Sequence, residues 1–341
     1  MSKLFPKDFV WGVAAAGHQI EGFNTQSDLW FCEQQKPSVF MEPSGIACDS
    51  YNRWAEDLDI IKEIGVNTYR MSIEWARIQP TEDTFDDKEF AHYEAILDGC
   101  IKRGLKVNLT MNHFASPHWF AKKAGWLNPE APQLFAKYCA EVTRRLGNKI
   151  DFAITFNEPN LPKLLSFMDL PPIVQELNRA TMEGAAKNAG VEKYRTSNVM
   201  LEEDYKPYEI GMVKRHQLAR EAIKSVNPNL PVGLSIAMID DQLETVDTNP
   251  AVRDNKREEC YGPWLRLAQH DEFMGVQNYE RMFFNDHGRI DPKPEAKLNS
   301  FGNELHGEAL ANCVEYAHSI TGKPIMVTEH GVNAEDDKER E

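Results

Sequence analysis

Seven short apolar runs alternating with longer amphipathic segments predict an α/β chain built of βαβ units around a parallel sheet. The runs are FVWGVAA (9–15), VNTYRMSI (66–73), KVNLTMN (106–112), DFAITFNE (151–158), LPVGLSIA (230–237), EFMGVQNY (272–279) and PIMVTEHG (324–331). Helices are predicted near 50–64, 88–103, 132–147, 208–227, 255–270 and 303–321. In YNRWAEDLDIIKEIG, Trp54, Leu58, Ile61 and Ile64 recur at helical spacing, and Gly65 stands where a left-handed C-terminal cap belongs. Each helical segment leads through a brief loop into another strand, the order a parallel sheet requires.

The runs number seven, and only the ten residues VNAEDDKERE, seven of them charged, follow Gly331. A seven-strand sheet leaves its first and last strands with unpaired edges. The expectation is a chain that lacks an eighth strand or closes its barrel irregularly. Such open edges invite self-association or a complementing C-terminal segment. The connection after the fourth run, about residues 159–207, is unusually long, with Pro159, Pro162, Pro171 and Pro172 early in it. It reads either as a lid over the strand ends or as a surface excursion. Length alone allows two average domains. A barrel commonly uses about 250 residues or more as one, so a single domain over 1–341 is expected.

With 53 acidic and 38 basic side chains, the net charge is −15, and no long Lys/Arg stripe relieves it. Such a surface repels nucleic acid and anionic membranes, which leaves polar, uncharged substrates as the best match. The six cysteines (Cys32, Cys48, Cys100, Cys139, Cys260 and Cys313) lack CxxC pairs or tight Cys/His spacing and read as buried reduced thiols, with no metal site. The segment MSKLFPKDFVWG has no apolar core of a signal peptide, and no stretch of about 20 apolar residues occurs. The expected location is the cytoplasm.

Two runs end on a glutamate: TFNEP with Glu158 and VTEHG with Glu329. Strand C-termini of a parallel barrel face the active-site mouth, so the two carboxylates are expected to meet there. Cleavage of a glycosidic bond needs such a pair. One carboxylic acid protonates the departing oxygen while one carboxylate attacks the anomeric carbon. Arg70, by charge, and Tyr279, by hydrogen bonding, are candidates to keep one carboxylate ionised. Polar residues suited to sugar hydroxyls stand at other strand ends: Gln19 with Glu21, Asn112 with His113, and Asn157 beside Glu158. Trp30, Phe114, Trp119 and Trp126 are either stacking faces for a sugar or simply core.

The runs FVWGVAAAGHQIEG, ACDSYNRWAEDLDIIKEIGVNTYRMSIEWARIQP, NHFASPHWF, TFNEP, GVQNY and VTEHG occur in the order of the blocks of glycoside hydrolase family 1, the β-glucosidase and β-galactosidase group, which the chain resembles from end to end. The resemblance implies a (β/α)₈ TIM-type barrel, here without its eighth strand, and no metal or organic cofactor. It implies a retaining β-glycosidase acting on terminal β-linked sugars, a β-glucosidase first. Glu158 would be the acid/base and Glu329 the nucleophile. Asn157 would bind the sugar 2-hydroxyl, and Gln19 and His113 other hydroxyls. Tyr279 falls among the substrate contacts and, with Arg70, would hold the nucleophile ionised. The family reads Glu-Asn-Gly where this chain has Glu329-His330-Gly331. The loop after Glu158 lacks the family's Gly- and aromatic-rich pattern, and a Glu-Trp block expected further on is absent. Two other readings fit the same residues: a catalytically silent carbohydrate-binding barrel, and an endo-acting glycanase.

Overall fold

Apolar strands with polar ends are where the chain turns from sheet to functional loop, and their placement organises everything else. In a computed structural model, residues 5–168, 170–300 and 302–333 are described. They fall into two units: residues up to 156 with 172–231, and residues 157–171 with those from 232 onward.

The first unit carries β1 (Gly12–Ala14), β2 (Thr68–Ser72), β3 (Lys106–Asn112) and β4 (Phe152–Asn157), whose last residue opens the second unit. They pair in parallel in chain order, with Ala14 opposite Arg70, Arg70 opposite Asn108, and Asn108 opposite Phe152. The long helices are α1 (Ser50–Ile64), α2 (Asp87–Lys102), α3 (Ala131–Leu146), α4 (Pro172–Ala189) and α5 (Tyr205–Val226). α1 ends on Gly65 at φ 90°, as its sequence predicts. α2 starts one residue earlier than predicted because the Asp86 carboxylate accepts the Lys88 N–H at 2.8 Å. The core is aromatic. Trp75 and Trp126, each 1% exposed, pack among Phe120, Phe135, Tyr138 and Phe156 with ring centroids about 5–6 Å apart.

Residues 159–207 are not a structureless connection. A short helix, Leu161–Leu165, precedes the 18-residue α4. α4 buries Met182, Ala185 and Ala186 against Cys32, Ala121, Tyr194, Val199 and Leu201. The i, i+3, i+4 spacing of those three side chains gives the helix an apolar face, so this stretch packs as a core element. Five of the six thiols are buried as expected, while Cys48 is exposed.

The second unit carries β5 (Val232–Ala237), β6 (Met274–Asn278) and β7 (Ile325–His330), again parallel and in chain order. Its helices are α6 (Ala251–Cys260), α7 (Gly262–Ala268) and α8 (Ala309–Thr321). The single helix predicted over 255–270 is two, broken at Tyr261. Pro263 has no N–H to donate, and its ring crowds the carbonyl of the turn before it. A small second sheet of Asp240–Leu243, Arg281–Asn285 and Gly288–Ile290, which the sequence does not announce, sits beside β5 and β6. No helix among the described residues is long and apolar enough to cross a membrane.

A cluster of buried acids closes the end of the first unit near β1 and β2. Glu21 accepts from Arg77 Nε at 2.8 Å and from the Tyr93 hydroxyl at 2.9 Å. Burial pushes its carboxyl up to about 7. Glu74 accepts from Ser72 Oγ and Asn24 Nδ2, each at 2.9 Å. Asp28, fully buried, accepts the Leu29 and Ser116 N–H groups on Oδ1, and burial pushes it up to about 8. A carboxyl whose folded pKa is raised holds its proton better folded than unfolded, so its contribution to stability is complete below about pH 4 and is lost as pH rises towards 8. The melting temperature of the wild type is expected to fall between pH 5 and pH 8 by more than that of Asp28→Asn, which cannot ionise. Parallel curves from differential scanning calorimetry would show Asp28 to be ionised in the fold.

Candidate active site

Four of the sequence-predicted residues belong to the second unit, and a hydrogen-bonded chain links three of them. Glu329 lies in β7, which pairs with β6 as Ile325 to Met274, Met326 to Gly275 and Val327 to Val276. The register then slips: Glu329, not Thr328, stands opposite Gln277. Parallel partners point to the same face, so this one-residue bulge at Thr328 turns the Glu329 side chain onto the face of Gln277. The displaced Thr328 is buried, with its hydroxyl 3.4 Å from the Val276 carbonyl oxygen.

Gln277 is fully buried and is a residue that sequence reasoning missed. Its Nε2 donates to Glu329 Oε1 at 2.9 Å and to Asn157 Oδ1 at 2.7 Å, with Ser235 Oγ farther off at 3.4 Å. The Tyr279 hydroxyl donates to the other carboxylate oxygen, Glu329 Oε2, at 2.5 Å. Each oxygen of Glu329 therefore receives a donor, an arrangement that favours the ionised carboxylate. The signal for Gln277 was present in the run EFMGVQNY: an uncharged polar side chain inside a buried strand must find partners.

Glu158 follows Asn157 at the end of β4, 8% exposed, with φ 46°. A non-glycine residue in the left-handed region costs on the order of 1 kcal/mol, and its surroundings hold it there. The Glu158 N–H donates to the Ser235 carbonyl at 2.8 Å, and its carbonyl accepts from the Leu161 N–H at 3.0 Å. Two residues on, Asn160 donates from Nδ2 to the Ala237 carbonyl at 2.7 Å and accepts the Ala237 N–H on Oδ1 at 3.0 Å. Asn160 is thus a second residue that sequence reasoning missed: it clamps the Asn157–Asn160 turn to β5. His330, in the place of the family's Asn, bonds through Nδ1 to the Asn278 carbonyl at 2.7 Å and so ties the residue after Glu329 to β6.

The other predicted residues belong to the first unit. Gln19 is exposed on a four-residue helix, Gly17–Ile20. His113 is buried just beyond β3, edge-on to Phe114. Arg70 sits at the middle of β2 instead of its end, 5% exposed, with Nε donating to Thr110 Oγ1 at 3.2 Å. Two candidates have structural roles instead. Glu21 is held in the buried acid cluster with Arg77 and Tyr93, and Trp126 is enclosed in the aromatic core. Asn112 turns its amide to the Ala115 carbonyl at 2.8 Å, so it shapes the loop carrying His113. Trp119, half-buried, donates to the Gln79 carbonyl at 2.9 Å. Among the described residues no three His, Cys, Asp or Glu side chains gather as a metal site.

The model of glycosyl hydrolase family 1 matches residues 1–227. The chain is 41% identical over 169 residues to a beta-glucosidase of Agrobacterium sp., a match covering 47% of this chain and 36% of that protein. It is 36% identical over 165 residues to beta-glucosidase A of Thermotoga maritima, across 46% of this chain and 37% of that protein. These matches span little more than a third of the length of the curated relatives. Among solved structures, an apo beta-glucosidase 1317 superposes with a TM-score of 0.91 at 33% identity, over 97% of this chain and 81% of that one. Beta-glycosidase BGL167 superposes with a TM-score of 0.90 at 37% identity, over 98% and 80%. The fold is the (β/α)₈ TIM-type barrel of these proteins, with seven of its strands among the described residues. By its family match and these superpositions, the chain belongs to glycosyl hydrolase family 1.

Proposed function

We propose that the protein is a retaining β-glycosidase that removes terminal β-linked sugars, β-glucosides foremost, with Glu329 as nucleophile and Glu158 as acid/base. The observation that carries this reading is the pair of donors, Gln277 Nε2 and Tyr279 Oη, aimed at the two oxygens of Glu329. A carboxylate so held is fixed in orientation, and its two donors favour the charged form that attack requires. The names of the relatives, beta-glucosidase and beta-glucosidase A, support the substrate class.

In the first step Glu329 attacks the anomeric carbon, the glycosidic C–O bond breaks, and Glu158 gives its proton to the leaving oxygen. In the second, Glu158 takes a proton from water, the water oxygen bonds to the anomeric carbon, and Glu329 leaves as a carboxylate. Asn157 meets the sugar 2-hydroxyl through its Nδ2, because Gln277 occupies its Oδ1. Gln19 and His113 carry the hydrogen-bonding groups that sugar hydroxyls need, and Arg70 carries the charge that would support a carboxylate. A barrel that binds sugar without turning it over is the competing reading. A relative from Oryza sativa subsp. japonica, 36% identical over 176 residues, is named a probable inactive beta-glucosidase.

Incubation with a 2-fluoro β-glucoside is expected to add one sugar mass to the peptide that carries Glu329, and Glu329→Ala to abolish both labelling and hydrolysis of an aryl β-glucoside. An unlabelled wild type with unchanged ligand binding would leave the silent barrel standing. Tyr279→Phe removes one donor from Glu329 and is expected to lower kcat/KM about ten- to a hundredfold at an unchanged melting temperature. Activity within twofold of wild type would remove Tyr279 from the machinery.

A further inference from the structure

The side-chain amide of Gln277 has two hydrogens, and the two short contacts use both: one goes to Glu329 Oε1, the other to Asn157 Oδ1. The orientation of this amide is not free. An ionised carboxylate only accepts, so the nitrogen of Gln277 must face Glu329. The remaining N–H then meets Asn157, which has to answer with its carbonyl oxygen, and Asn157 Nδ2 is left to point elsewhere as a donor. A flipped Gln277 would set its oxygen against two acceptors. Its Oε1 instead meets no partner among the described residues, although Gln277 is wholly buried. An unpaired buried carbonyl costs free energy and persists here because both N–H bonds require it.

We infer that Gln277 is a positioning residue for the sugar 2-hydroxyl: it relays the negative charge of Glu329 into a fixed donor orientation of Asn157. This rests on the glycosidase reading above. Gln277 touches no substrate in this scheme and acts wholly through Asn157 and Glu329. Its effect is therefore specific to ligands that bear a hydroxyl at C2. A residue that merely filled the barrel core would affect ligands with and without that hydroxyl alike.

The test is calorimetric titration of the whole chain with phenyl β-thioglucoside, a poor substrate because of its C–S bond, and with its 2-deoxy analogue. The wild type is expected to bind the 2-hydroxy compound about tenfold or more tightly than the 2-deoxy one, the scale of one well-placed hydrogen bond. Gln277→Leu is expected to erase that preference while keeping affinity for the 2-deoxy compound within about twofold. Gln277→Glu has the same shape with an acceptor in place of the donor. It serves as the second variant should the leucine protein fail to fold, and is also expected to lose the preference. A full preference in either folded variant, or an equal loss for both ligands, overturns the assignment and leaves the glycosidase reading intact. A wild type that binds neither compound overturns both.

Discussion

The pairing of β7 with β6 is the constraint on which the candidate site depends. Five residue pairs hold the two strands together, and between the third and fourth the longer strand gains one residue, Thr328. Without that insertion Thr328 would stand opposite Gln277, and Glu329 would be turned to the other face of the sheet. With it, the glutamate comes within hydrogen-bond reach of both the Gln277 amide and the Tyr279 hydroxyl. A bulge leaves one residue out of the ladder, and here that residue is buried with its hydroxyl near a carbonyl oxygen, so the irregularity carries little unsatisfied polarity.

The second carboxylate is held by a different device. Glu158 occupies a backbone conformation that a side chain disfavours, and the turn does not relax because it is bonded at both ends. The Ser235 carbonyl takes its N–H, and Asn160 bonds both polar groups of the Ala237 backbone. The strain is thus offset by β5, the strand that also carries Ser235 close to Gln277. Two catalytic candidates far apart in the chain are each fixed against β5 or β6. Asn157, Gln277, Tyr279 and Glu329 all lie in the second unit. The first unit uses its buried acids differently. Glu21, Glu74 and Asp28 are buried with hydrogen-bond donors around them: Arg77 and Tyr93 donate to Glu21, Ser72, whose hydroxyl also accepts the Gly17 N–H, donates to Glu74, and the Ser116 N–H donates to Asp28. Gly17 is needed there: a Cβ at that position would approach the Glu74 carboxylate to 2.6 Å.

Much of this was legible before folding was considered. The seven strands fall on the seven apolar runs, and most helices fall on the amphipathic segments between them, because both signals are periodic and local. The Gly65 cap was legible for the same reason. The break at Pro263 was also written in the residues, yet the surrounding helical pattern masked it. α4 was hidden by the prolines that precede it, and its apolar face became evident only against Tyr194, Val199 and Leu201. Residue type alone did not separate site from core. Glu21 and Trp126 have the chemistry of sugar contacts, but burial among Arg77 and Tyr93, or among Trp75 and Phe135, gives them structural work instead.

By itself, the sequence determined the parallel α/β order, the family and the glutamates at the ends of β4 and β7, since hydrophobic period and motif order survive without coordinates. The tertiary structure alone decided which face Glu329 presents, that Gln277 joins it to Asn157, and that Asn160 holds the turn of Glu158. The physical reason is that a strand's side chains alternate between faces. A single bulged residue reverses that alternation, and only the pairing of one strand with another selects where the bulge falls.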